Sequence, residues 1–556
     1  MDRHQVIKAF LISGFLLLMG TSLVSQAAPK AGGKGAPEIK IIANQNAPQG
    51  GTFLYNLQFE PTTLNPITMT DAYGWTVRSF ICETLMARNE ESYEFEPRLA
   101  EKFEISKDGK EYVFTLRQGM QWSDGKPITI DDVKFSYDYV ADDKYGAAYM
   151  RPYFENIEKV EVTGPNTIKF TTKGTYFGNF ATAASLLVLP KHVYGNPEES
   201  KKKNKTMIGS GPYLLKEYNQ GQSIILERNK TWWGNSLPEN KGVFNFQTIR
   251  MRFDKEENLV LERLKKGELD YDSLTAEAYS VKTEGAPWGT EVLKKKVLNL
   301  EPKSFGFIGW NMASEMFKDK RVRRALASLM NREEMNKKFR YGLSLPATGP
   351  WYQQSEYANP AVKAIAFDPK KAAALMKEAG WMDTNKDGVL DKDGKKFEFT
   401  LFYANKDTQK YWVMYQEDLK KSGIVMNLQM LEGNAMFKNL DEHKFDAVAM
   451  GWGGGAVDNN PKQVWHSSSI KGGSNYFGYS NPEVDKLIDA GIAELDKKKR
   501  IEIYRKIYAM IADDAPYAFF FNEKFKLYAV NKRIGTPKDT FKFGLGTDYW
   551  WSKEVK

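Results

Sequence analysis

The segment from Glu96 to Val133 restricts the fold more than any other part of this 556-residue chain. Within it Tyr112, Phe114 and Leu116 alternate with polar neighbours, the period of a half-buried strand. Asp108-Gly109 and Asp124-Gly125 supply turn geometry on either side, so the segment reads as extended chain folded back at two turns. A strand with one apolar face must pack against something. With 42% hydrophobic and 13% aromatic residues, the chain has the apolar surface for several packed units.

At the amino end, Arg3 and Lys8 precede or open an apolar run, Ala9 to Val24, followed by Ser25-Gln26-Ala27 and Ala28. This order is that of a secretory signal peptide, residues 1–27, with cleavage expected after Ala27. Ser13, Gly14, Gly20, Thr21 and Ser22 interrupt the run, which falls short of the about 20 apolar residues of a membrane span. The single cysteine, Cys82, is far from this run, so a lipoprotein is not expected. It also forbids an internal disulfide, and its simplest role is that of a small buried hydrophobe. The expected compartment is the periplasm. The net charge of +9 comes from 79 basic and 70 acidic residues interspersed along the chain, and runs such as 201–203 and 294–296 read as solvated faces. Nucleic acid is not an expected partner.

Read by resemblance, the stretch Glu96-Pro97-Arg98-Leu99-Ala100 through Asp131-Asp132-Val133 is similar to the signature of family 5 extracellular solute-binding proteins, the peptide receptors of bacterial ABC importers. Further elements resemble the same family: Glu60 to Pro66 after the first strand, Gly209-Ser210-Gly211-Pro212-Tyr213, Arg228-Asn229 with Trp232-Trp233, and Gly309-Trp310-Asn311 with Asp319 to Leu326. The resemblance implies an α/β, two-lobed periplasmic-binding-protein fold of the large type II class, with an extra domain and a two-stranded hinge. Its expected boundaries are a flexible tether at 28–50, a discontinuous lobe I at 51–80, 206–303 and 523–556, an extra domain at 81–205, and lobe II at 304–522. The chain crossings are expected near Pro302 to Phe305 and near Phe520 to Lys524.

Local patterns agree with an α/β lobe. Strands are expected at 51–57, 167–170, 223–227, 397–403 and 447–452. Helical spacing of Val322, Ala325, Leu326, Leu329 and Met330 predicts one helix over 319–339 behind an Asp319 cap, and further helices open at Asn481-Pro482 and run from Arg500 to Ala512.

No catalytic constellation is expected. His192, His443 and His466 sit in neither HExxH spacing nor beside a GxSxG elbow, and neither glycine-rich turn completes a nucleotide-binding motif. Asp383, Asn385 and Asp387 ahead of Gly388 match the first half of a calcium loop, with Asp391 as a partial substitute further on. Gly394 stands where a bidentate glutamate belongs, so an Asx-rich turn is the competing reading. No cofactor is expected.

The best binding segment is Trp452-Gly453-Gly454-Gly455 through Asp458 to Pro461, with Tyr476 beyond it. Glycines after a strand let backbone approach a ligand closely. In peptide-binding relatives the place three residues after the tryptophan holds an aspartate that pairs with the ligand's α-amino group; here it is Gly455. Two readings stand: Asp458 replaces that carboxylate from a shifted loop, or the ligand is not anchored by a free amino terminus. Trp452 reads equally as ligand stacking or core packing. In lobe I the resemblance points to Asn65, Tyr73 and Trp75, and after the hinge to Asn311, each with caps or turn closures as the structural alternative.

The resemblance implies a monomeric periplasmic receptor that captures a peptide between its lobes, undergoes hinge closure and delivers the peptide to membrane permease subunits. The alternative on the same fold is a receptor for a non-peptide solute such as an oligosaccharide, an amino acid conjugate or a metal chelate. A chaperone or hydrolase is a third reading from another class.

Overall fold

The computed structural model describes residues 41–555 and the backbone of Lys34–Gly35. The expected signal peptide lies outside the described residues. The chain forms two compact units: the first combines the residues up to Glu301 with Phe525 onward, and the second is Pro302–Lys524.

Two sheets organise the first unit. In the five-stranded sheet, Ala100–Ile105, Glu111–Leu116, Thr167–Thr172 and Ile157–Gly164 follow one another antiparallel, with Lys34–Gly35 at the edge. Tyr112, Phe114 and Leu116 are its buried residues on Glu111–Leu116, as their alternation requires. Both Asp-Gly turns close, Gly109 N donating to Ser106 O at 3.0 Å and Gly125 N to Trp122 O at 2.9 Å. A seven-stranded mixed sheet has Thr52–Asn56 near its centre, parallel to Thr248–Arg252 and to Tyr271–Ser273. Lys526–Asn531, from the chain's return, fills the place beyond Tyr271–Ser273. Phe103, Phe114 and Phe180 from around the first sheet join Phe53, Ile249 and Trp550 in one buried cluster.

The expected tether needs correction. Gly50 N donates to Asn245 O at 2.7 Å, and a Cβ on Gly242 would stand 2.2 Å from Asn44 O. Residues 41–50 are therefore laid against the first unit, and Lys34–Gly35 pairs with Phe103 and Glu104.

The second unit is built on one six-stranded sheet, ordered Ser344–Pro346, Tyr517–Glu523, Phe305–Trp310, Ala447–Trp452, Glu398–Tyr403 and Val425–Met430. Its two faces carry different side chains because alternate residues point to opposite sides. Ile308, Trp310, Ala447, Ala449, Ala518 and Phe520 face a core completed by Val322, Leu326, Met376, Tyr415 and Leu419 from three helices. Phe305, Phe307, Tyr517 and Phe519 form an aromatic row on the other face.

The single helix expected over 319–339 is two. Asp319 caps Lys320–Ser328 by accepting from Arg321 N, as expected, but Asn331 caps a second helix, Arg332–Arg340, by accepting from Glu334 N at 3.1 Å. An asparagine side chain competes well for helix-start N–H groups, and that competition breaks the periodic pattern.

The candidate calcium loop folds as the Asx-rich turn of the competing reading, its oxygens engaged by its own chain. Asp383 accepts from Asp387 N and Gly388 N, Asn385 from Asp387 N, and Asp387 from Val389 N. Lys396 pairs with Asp387 at 2.6 Å, and Asp391 accepts from Thr384. Among the described residues no group of three or more acidic, His or Cys side chains converges as a metal site.

Several acids of the first unit are held protonated into the neutral range. Burial pushes Asp272 up to about 7, against the opposing bonds from Asn56 Nδ2 and Ser273 N. Burial, with Asp548 and Glu301 nearby, pushes Glu90 up to about 8. Such groups bind protons in the folded state that the unfolded chain releases. Their stabilisation is complete below the unfolded pKa and is lost as pH rises through the folded one. The thermal midpoint is therefore expected to fall between about pH 5.5 and about pH 8.5, and Asp272→Asn should flatten that slope. A midpoint that rises over this interval in calorimetry would contradict the assignment.

Candidate ligand-binding site

The strand Ala447–Trp452 runs antiparallel to Phe305–Trp310, pairing Trp452 with Phe305. At its end the chain leaves the sheet into the loop 453–461, and the loop divides into a tip and an anchor. Gly453 and Gly455 are exposed, whereas Ala456, Val457 and Asp458 are buried.

The glycines are required by the path. A Cβ on Gly454 would lie 2.4 Å from Pro302 O and 2.8 Å from Lys303 N, so only hydrogen fits against that segment. Gly455 has φ +58°, a left-handed conformation that side chains resist. At Gly453 the place of a Cβ is open space. At Gly453 the backbone is thus left open, while Gly455 has the Asn459 side chain beside it.

Trp452 packs into an aromatic stack, as its core-packing reading expects. Its ring lies 6.0 Å from Phe307 at 28° and 6.3 Å from Tyr476 at 15°, and its indole N–H points to Tyr517 Oη at 3.4 Å. Tyr517 in turn stacks on Phe307 at 3.9 Å and 4°. Trp452 itself is only partly buried, so it is the rim of this stack. Tyr476 is buried, which pushes its hydroxyl up to about 12.

Asp458 is not the exposed carboxylate that the first of the two sequence readings requires. It is 1% exposed, and its Oδ2 lies 3.5 Å from Arg500 Nη2, both side chains being fully buried. Tyr357 Oη donates to Asp458 Oδ1. Arg500 Nη1 donates to Glu494 O at 2.8 Å and to Leu495 O at 3.4 Å. The carboxylate thereby ties the loop to the helix Lys497–Asp514 and to the segment carrying Tyr357. Burial first, then the Asp458 charge, holds the Tyr357 hydroxyl well above its ordinary value.

Asn311 also has a structural position. Its Nδ2 donates to Phe445 O at 2.8 Å and His443 O at 3.2 Å, and its Oδ1 accepts from Ala313 N. In the first unit Asn65 is fully buried, donating to Ser200 O at 2.6 Å and accepting from Ile67 N at 3.0 Å. Tyr73 and Trp75 lie partly buried on the helix Ala72–Ile81. The Trp75 indole donates to Met69 O at 3.1 Å, and the Tyr73 ring stands 5.1 Å from Phe59. Sequence reasoning missed Arg500, Tyr357 and Tyr517, which hold this loop and its tryptophan.

The histidines have local work. His192 bonds to Asp124 at 2.7 Å and His443 to Tyr476 O at 2.8 Å. His466 Nδ1 accepts from Ser468 N at 3.0 Å, closing a one-turn helix. Burial pushes the Cys82 thiol up to about 12, which keeps it from acting as a thiolate.

The two-unit α/β architecture places an exposed glycine tip beside an aromatic stack. The family model of bacterial extracellular solute-binding proteins, family 5 Middle, matches residues 94–474. The oligopeptide-binding protein AppA of Bacillus subtilis is 32% identical over 510 residues, 88% of each chain. The solved structure of AppA from Bacillus subtilis in complex with a nonapeptide matches with a TM-score of 0.72 and 30% identity, covering 91% of this chain and all of that one. NikZ from Campylobacter jejuni in complex with Ni(L-His) shares the fold at 23% identity and a TM-score of 0.72, covering 91% and 99%. The chain belongs to the family 5 bacterial extracellular solute-binding proteins.

Replacing Asp458 with Asn leaves the Arg500 charge uncompensated in the interior and is expected to cost about 3 kcal/mol or more of stability. The double variant Asp458→Asn with Arg500→Met should lose less than the two single losses added. Urea unfolding of the three variants reads this directly. Additive losses would remove the pair from its role as anchor.

Proposed function

We propose that this protein is the substrate-binding component of an ABC importer, and that it captures peptides and hands them to the membrane permease. The observation that carries this reading is the resemblance to an oligopeptide-binding protein at 32% identity across 88% of both chains. The loop tip supports it physically. Peptide recognition that tolerates many sequences rests on backbone hydrogen bonds and hydrated, roomy pockets, and Gly453 to Gly455 offer backbone alone.

In this reading Trp452 meets the ligand from the rim of the aromatic stack, Tyr476 and Tyr517 hold its ring, and Asp458 positions the loop from behind. The only acid within 452–461 is Asp458, so amine recognition, where it occurs, is supplied from outside this loop. Tyr73 and Trp75 are proposed as the contributions of the first unit. The protein works by binding and not by catalysis, in the periplasm after removal of residues 1–27, as a monomer and without a cofactor.

Native mass spectrometry of the protein purified without denaturation, followed by fragmentation of retained ligand, tests the proposal. A ladder of short peptides is the expected result; a single sugar or chelate mass would replace it with the non-peptide reading. Trp452→Ala is expected to weaken peptide binding about tenfold, as loss of an aromatic contact does, while leaving the thermal midpoint of the empty protein nearly unchanged. Unfolding of the empty variant at markedly lower temperature would assign Trp452 to the core.

A further inference from the structure

Inside the second unit lies a cavity of about 230 Å³, none of whose walls comes from the loop 452–461. Arg324, Arg332, Thr348, Lys363, Asp513 and Tyr517 are among the residues that bound it. Three cations thus face one carboxylate. Asp513 is already engaged, pairing with Arg324 at 2.5 Å and Lys320 at 2.9 Å.

Arg332 is the informative side chain. It is 5% exposed and has no carboxylate within ion-pairing distance among the described residues. Its Nε donates to Phe519 O at 2.7 Å, and its Nη1 to Ile365 O at 2.8 Å and Ala327 O at 3.2 Å. Nη2 makes no hydrogen bond among the described residues and belongs to a group on the cavity wall. Burial pulls the guanidinium down to about 10. A buried cation with a free donor beside open volume is the signature of a missing anion, because guanidinium pairs best with planar or tetrahedral oxyanions through two N–H groups.

We infer that this cavity is a binding site for a small oxyanion, such as inorganic phosphate, sulfate or a short carboxylate. Arg332 Nη2 supplies the free donor, and Arg324 and Lys363 supply charge from the mouth. The volume suits an anion with a few waters, given about 30 Å³ per water. The occupant would bridge the segment carrying Thr348 and Lys363 to the helices carrying Arg324 and Arg332, and so stabilise the second unit.

The experiment is a calorimetric titration of the whole protein with inorganic phosphate, ionic strength held constant with chloride, with a parallel thermal-unfolding series. Saturable binding and a matching rise in the unfolding temperature are expected. Lys363→Ala, an exposed change that leaves the fold intact, should weaken binding about fivefold, and Arg332→Gln at least about tenfold. Peptide affinity in Lys363→Ala should be unchanged, which separates this site from the peptide reading. No saturable response to phosphate, or a response that Lys363→Ala leaves untouched, overturns the inference.

Discussion

The buried pair of Asp458 and Arg500 is the interaction on which the receptor loop depends. Two unit charges removed from water are favourable only when hydrogen bonds accompany their attraction, and here such bonds fall on Asp458 Oδ1 and Arg500 Nη1. Tyr357 donates to the carboxylate, and the guanidinium donates to two carbonyls that precede its own helix. The consequence is positional. With Asp458 fixed, Ala456 and Val457 are drawn under the loop, and Gly453 and Gly455 are left exposed at its tip. A charged group has been buried so that an uncharged backbone can be presented.

That presentation rests on the two-faced sheet beneath it. Ile308 and Trp310 lock one face of the strand Phe305–Trp310 into a helical core, which leaves Phe305 and Phe307 to begin an aromatic stack on the other. Tyr517 lies flat on Phe307, and Trp452 joins at the edge, its indole N–H directed to the Tyr517 hydroxyl. Aromatic rings carry few torsional freedoms, so a partly exposed tryptophan stacked in this way is already ordered before any contact is made to it.

Much of this was legible in the sequence, and the failures share a cause. Alternation placed Tyr112, Phe114 and Leu116 on one buried face, and the strand 447–452 has the limits that its pattern implied. Long-range similarity of the motifs around Glu96 and Gly209 carried the fold. What escaped was the partner of each polar group. Asn65 and Asn311 have amide chemistry suited to a ligand, but each is engaged by the backbone, Asn65 with Ser200 O and Asn311 with Phe445 O. A ligand carboxylate is one of two readings that the sequence leaves open for Asp458, because its partner lies 42 positions along the chain, beyond any local pattern. A signal did exist. Arg500 stands on the same helical stripe as Tyr504, Ile507, Tyr508 and Ile511, and a cation on an apolar stripe demands a buried counter-charge.

The same rule orders the other buried arginines of the second unit, and they meet it by different means. Arg323 has five bonds to carbonyls, at Phe317, Lys318, Asp514 and Ala515, so it sits where two helices end and their last oxygens are unsatisfied. Arg500 answers to a carboxylate. Arg332, the first residue of its helix, meets the rule only in part, since three carbonyl contacts leave one edge of its guanidinium directed to open volume. Helix ends supply partial negative charge at Arg323, and a carboxylate supplies full charge at Arg500, where a loop is held. Where carbonyls alone answer a buried guanidinium, as at Arg332, the wall keeps a positive charge beside open volume, and its place is set by the break at Asn331 that the helical pattern alone did not foresee.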